Sequence, residues 1–209
     1  MIWALLGTAF AADPLAAYNS AIETDTAALT AALPRFALCE RPATRLLVKL
    51  TYTGATVAAI GKDGPTKVEA PCVVKTAVAA LANRPPVGHE VAFGLTFAGS
   101  RAALQGDVVL FGLLENEAIE AGVRAHIDAV AACYLDELAK VPGLKGQVTV
   151  EFTVLPTGLV YDPTVKNTTL LNPEAEKCMV GVVRTLQFVP PDGGGIVRVT
   201  YPFTFNPPE

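Results

Sequence analysis

Charge is scarce in this chain. Asp, Glu, Lys and Arg make up 17 % of its 209 residues, and their balance leaves a net charge of −4. The lysines and arginines are scattered, so the basic cluster that a nucleic-acid surface needs is missing. Histidine is scarcer still: His89 and His126 are the only two. Neither has a cysteine or carboxylate at ligand spacing, and both read as solvated or capping residues. Serine occurs twice, as Ser20 and Ser100, and neither lies in a nucleophile-elbow context. There is no Cys-x-x-Cys motif and no close Cys/His set for zinc. Asp136 and Glu137 are helical neighbours that point to different faces. The Asp192-Gly193-Gly194-Gly195 run precedes a strand rather than a helix N-terminus, so it lacks an anion-binding dipole and reads as a connection. Beyond a short N-terminal run, no stretch approaches the ~20 apolar residues of a membrane span. No catalytic residue, cofactor or metal is expected.

Apolar residues are plentiful, at 51 %, which is enough to bury a core and too much for disorder. The order of motifs repeats. A helix-like segment ends in Cys39 and again in Cys133; each leads into an alternating strand, a Thr-Gly turn and a second strand. Then come Cys72 and Cys178, each followed by an apolar helical stretch, a Pro-Pro stop, a Gly-containing turn and a strand ending in Phe. Phe97 follows Cys72 by 25 positions, as Phe203 follows Cys178. Repetition of this kind fixes the architecture before local propensity does. It predicts two domains of roughly 85 to 100 residues, at 13–97 and 113–209, joined by a linker at 98–112 whose end, Asp107 to Gly112, reads as a short strand belonging to either repeat.

The first twelve residues, MIWALLGTAFAA, contain a short apolar run and an Ala-Phe-Ala pattern. They read as a signal peptide cut before Ala12 or Asp13. Four cysteines in an exported chain favour disulfides, and repeat symmetry selects Cys39–Cys72 and Cys133–Cys178 among the three pairings.

Each repeat reads as helix, strand, strand, helix, strand. In the first, a helix covers 14–33, with Pro34 expected to interrupt or kink it before Cys39. Strands follow at 45–52 and 55–60, with turns at Thr53-Gly54 and 61–65. A helix at 68–83 stops at Pro85-Pro86, and a last strand covers 90–97. In the second, one long helix spans 115–140 on the stripe Ile119, Val123, Ile127, Val130, Tyr134 and Leu138. Strands follow at 146–154 and 159–168. A helix opens on Asn172 as cap and Pro173 at its first position, and the last strand runs over 196–205. The fold class is α+β: two tandem two-layer sandwiches, each with two helices on one face of an antiparallel three-stranded sheet. The other face, with Lys49, Thr51, Thr149, Glu151, Thr153, Arg198 and Thr200, is expected to meet solvent.

The second repeat resembles the AgmX/PglI C-terminal domain, a group related to the TonB C-terminal domain. The matching residues are Ile119, Ile127, Cys133 and Tyr134; the Pro142 to Phe152 strand; Thr157 to Val160; Cys178, Arg184 and Phe188; and Pro190 to Phe205, with its Gly-Gly-Gly and Tyr-Pro-Phe signatures. The first repeat looks like a diverged copy that lacks both signatures. The resemblance implies a periplasmic domain of a Gram-negative-type envelope. It also implies a non-enzymatic interaction module that binds an envelope protein or peptide by pairing an edge strand. Arg198, Thr200, Tyr201 and Phe203 on the last strand are the expected edge residues. A small-ligand or enzymatic site in the cleft between the repeats is the alternative.

Overall fold

The computed structural model describes residues 13–40, 42–51, 54–61, 64–83 and 87–207. The expected signal peptide at 1–12, Thr53 of the first turn and the Pro85-Pro86 stop lie outside the described residues. Eight strands and five helices are described: α1 (Pro14–Ala37), β1 (Arg45–Thr51), β2 (Gly54–Gly61), β3 (Gly64–Val68), α2 (Pro71–Ala80), β4 (Glu90–Ala98), β5 (Arg101–Phe111), α3 (Asn116–Arg124), α4 (Ile127–Leu138), β6 (Gly146–Val154), β7 (Val160–Thr168), α5 (Pro173–Arg184) and β8 (Val197–Phe205). The fold is mixed α+β with two antiparallel sheets, of five strands in the order β3-β2-β1-β4-β5 and three in the order β7-β6-β8. Among the described residues, no helix is long and apolar enough to cross a membrane.

Helix α1 starts where Asp13 accepts a hydrogen bond from Leu15 N–H and Pro14 sets the first turn. It buries Tyr18, Ala21, Asp25, Leu29, Ala32 and Phe36, a stripe at three- and four-residue spacing, and packs on β5 and α2. Pro34 does not stop it. The helix continues to Ala37 because Phe36 is fully buried and Cys39 just beyond is bonded to Cys72 at the start of α2, with Cα atoms 5.5 Å apart.

The first sheet adds β3 and β5 to the three strands of the repeat. The 61–65 turn opens into β3, and the supposed linker at 98–112 is the end of β4, a Gly99-Ser100 hairpin turn and β5. Gly99 takes a left-handed conformation (φ 55°) that suits this turn. Val108 and Leu110 of β5 face α1 and are buried with the rest of the first core.

The second unit keeps the expected three strands but not the expected single helix. Residues 115–140 form α3 and α4, broken at Ala125–His126. Val123 is buried whereas Ile127, on the same predicted stripe, is exposed. Just before the break the Phe188 ring lies against the backbone of Gly122, where a Cβ would come within 2.5 Å of it. Helix α3 then turns away toward β8, where Tyr201 Oη donates to Glu120 at 3.2 Å. Helix α4 packs on α5, and Cys133 is bonded to Cys178 between them, with Cα atoms 5.7 Å apart. Tyr134 stacks on Phe205 (4.8 Å between centroids) and donates to the Leu144 carbonyl at 2.6 Å. Asn172 caps α5 by accepting from Ala175 N–H, with Pro173 at the first helical position, as the sequence indicates.

Candidate functional site

Strand β8 closes one side of the second sheet and pairs with β6 in nine consecutive positions, from Val154↔Val197 to Gly146↔Phe205, without a register shift. In such a ladder the N–H and C=O of one residue point to the same side, and successive residues alternate. Ile196 fixes the sense of that alternation. Its N–H donates to the Leu110 carbonyl at 3.0 Å, and its carbonyl accepts from Gly112 N–H at 2.9 Å, both on the side away from β6. The backbone groups of Arg198, Thr200, Pro202 and Thr204 therefore also face away from β6, along the outer edge. Pro202 agrees with this assignment, since a proline in a strand belongs where no ladder donor is needed.

The end of β5 occupies only the first position of that edge. After Gly112 the chain leaves β8: Leu113 and Asp192 exchange backbone hydrogen bonds at 3.0 and 2.7 Å, and the chain enters α3. The Gly193-Gly194-Gly195 run makes this joint possible. A Cβ on Gly193 would lie 2.6 Å from the His89 ring, and one on Gly195 would lie 2.3 Å from Gly112 N. Residues 191–196 thus lie against the Gly88 backbone, the His89 ring and the backbone at the end of β5. Gly88 N–H donates to the Gly193 carbonyl, and His89 Nε2 sits 3.3 Å from Asp192 Oδ2. At this joint the Phe111 ring has two cations over it, Lys49 Nζ at 5.6 Å and Arg198 Cζ at 5.7 Å from its centroid.

The structure distributes the four expected edge residues over two faces. Arg198 and Thr200 are exposed on the open face, where Thr200 Oγ1 donates to Glu151 and Lys166 pairs with the same carboxylate. Lys166 holds the Glu151 carboxyl below its usual value, mainly through that hydrogen bond. Tyr201 and Phe203 point to the helical side. Phe203 is buried in the second core, while Tyr201 is half-buried beside α3. Burial, and next the Glu120 carboxylate, push the Tyr201 phenol above its ordinary value, so it remains a donor. Sequence reasoning passed over Asn116 and Glu120 of α3 and read Ile119 only as a core-stripe and family-matching residue, because the expected long helix hid their approach to β8. It also passed over Pro202, whose place inside an alternating strand was a readable sign of an outer edge.

The other sheet edges are less usable. Strand β7 carries Pro163, a left-handed Asp162 (φ 49°) and two register shifts against β6. Strand β3 has five residues, one of them Pro65, and α1 packs along β5. Such features blunt an edge.

The two histidines lie apart. His89 belongs to the joint; His126 lies in the α3–α4 turn with Nδ1 3.4 Å from the Gly122 carbonyl. A trough of about 410 Å³ on the open face of the first sheet is lined by Leu47, Ile60, Ala92, Val109, Phe111 and, from the second unit, Arg198. Neither histidine lines it. Among the described residues no group of three His, Cys, Asp or Glu could hold a metal.

No protein-family model matches the chain, and no curated protein matches it. Among solved structures, the solution structure of the TonB C-terminal domain of Helicobacter pylori aligns over 46 % of this chain and 96 % of its own, at 19 % identity and a TM-score of 0.28.

Proposed function

We propose that the chain is a non-enzymatic envelope module that binds an extended segment of a partner protein by adding it as a strand to the outer edge of β8. The observation that carries this reading is the edge itself. It is long and regular, its backbone groups at Arg198, Thr200 and Thr204 face outward, and no described strand besides β6 pairs with β8 along 197–205. Arg198 and Thr200 present the backbone to the partner, Tyr201 borders the site, and Phe203 anchors the strand from within the core. The reading includes a periplasmic address after removal of residues 1–12, which two disulfides suit. It also includes relationship of 113–209 to the AgmX/PglI C-terminal domain, with the first unit a diverged and enlarged copy.

Proline substitution tests it. Arg198→Pro and Thr200→Pro remove outward donors while leaving the β6 ladder intact, as Pro202 already does. Partners captured from envelope extract by the native chain are expected to be lost by both variants with the fold unchanged. Retention of every partner by the folded variants overturns the reading.

A second reading, a small-ligand site between the units, draws on the trough at Phe111 and Arg198. A thermal-shift screen of small apolar anions, repeated on Phe111→Ala, separates the two: a shift lost in that variant favours the trough.

A further inference from the structure

Helix α3 stands beside the outer edge of β8 and leaves a slot of about 430 Å³. Asn116, Ile119 and Glu120 form one wall, and Arg198 to Pro202 form the other. A strand added to β8 sends alternate side chains to the two faces of the sheet. On the open face they meet Arg198 and Thr200. On the helical side, next to Tyr201, they enter the slot beneath α3.

The chemistry of that inner position is set by Glu120. Its carboxylate accepts one hydrogen bond, from Tyr201 Oη. Among the described residues no cation comes within ion-pair distance of it. A carboxylate has room for about four acceptor contacts, so most of its capacity is open. Arg124, one helical turn further on, acts on the Tyr201 phenol at longer range but does not line the slot. Arg198, the slot's own cation, has its side chain on the opposite face. Ile119 beside Glu120 offers apolar surface along which the methylene stem of a long side chain can lie. Tyr201 turns its own backbone toward β6, so a partner residue beside it forms a non-hydrogen-bonded pair, the type in which side chains approach most closely.

Resting on the strand-addition reading above, we propose that the partner segment carries a lysine or arginine beside Tyr201, pointing into the slot and pairing with Glu120. The partner is thus an extended segment with a basic residue on its inward face, flanked two positions away by apolar residues that continue the alternation.

The test is selection of seven-residue peptides from a displayed random library on the folded, disulfide-bonded chain. Peptides retained by the native chain and lost on both Arg198→Pro and Thr200→Pro are edge binders. Enrichment of Lys or Arg at one position of those peptides is expected. Glu120→Gln should weaken them about tenfold, as for a lost charge-assisted hydrogen bond, and Glu120→Lys should weaken them further. Edge binders without a basic preference, or indifferent to Glu120→Gln, overturn the proposal and leave strand addition standing. If every selected peptide ignores both proline variants, strand addition fails and the proposal fails with it.

Discussion

A Cβ placed on Gly195 would lie 2.3 Å from the amide nitrogen of Gly112, so the two units meet at a point where only backbone fits. The glycine run is therefore a joint between the two sheets. It holds the end of β5 against Ile196 and leaves the β8 edge free from Arg198 onward.

Gly195→Ala forces a methyl group against backbone, which has no rotamer to yield. Overpacking of this kind costs about 1–3 kcal/mol. Urea denaturation is expected to show that loss. Gly181 is the matching control, since it lies inside α5 with open space around it. There alanine removes the glycine penalty in a helix, and Gly181→Ala should stabilise the chain by about 0.5–1 kcal/mol.

The two disulfides tie the helical layer of each unit, Cys39 to Cys72 across 33 positions and Cys133 to Cys178 across 45. In the chain-entropy treatment each contributes about 4 kcal/mol by restricting the unfolded chain. Thiol titration of denatured, unreduced protein should find no free cysteine. A Cys133→Ala/Cys178→Ala variant should unfold at markedly lower urea than the native chain. Four titratable thiols would remove both staples.

Glu151 links stability to pH. Its folded-state carboxyl is held below the ordinary value, first by the Lys166 hydrogen bond and next by the Lys166 charge. A depressed carboxyl contributes stability above its unfolded value, near 4.5, and loses it as pH falls toward the folded one. Denaturation followed from about pH 6 down to 3 should therefore fall less steeply for Glu151→Gln than for the native chain. The pair is exposed, so the difference should be small and should shrink in high salt.

Much of the second unit was readable in the sequence, because its local signals agree with its packing. Val148, Val150, Phe152 and Val154 alternate and are all buried, and Asn172-Pro173 both announces and caps α5. Strand β5 was half readable: Asp107 to Gly112 reads as a short strand, but its first half does not. The Ala98-Gly99-Ser100 turn before it and its Arg101-Ala102-Ala103 start have linker composition, and the strand exists because β4 pairs with it and α1 covers Val108 and Leu110. The α3–α4 break was hidden too. Helical periodicity runs unbroken through Ile119, Val123 and Ile127, so the pattern carries no sign of the break at Ala125–His126. The edge residues were half readable. The strand could be placed, but which of its residues face outward follows from Ile196 bonding to Leu110 and Gly112, a contact between units.

Amide hydrogen exchange along β8 tests the central claim most directly. In the free chain Val199, Tyr201 and Phe203, bonded toward β6, should exchange slowly, while Arg198, Thr200 and Thr204 exchange fast. Addition of a saturating edge-binding peptide should slow Arg198, Thr200 and Thr204 selectively. Slow exchange at those three amides in the free chain, or no change on peptide binding, would contradict an open edge that takes a partner strand.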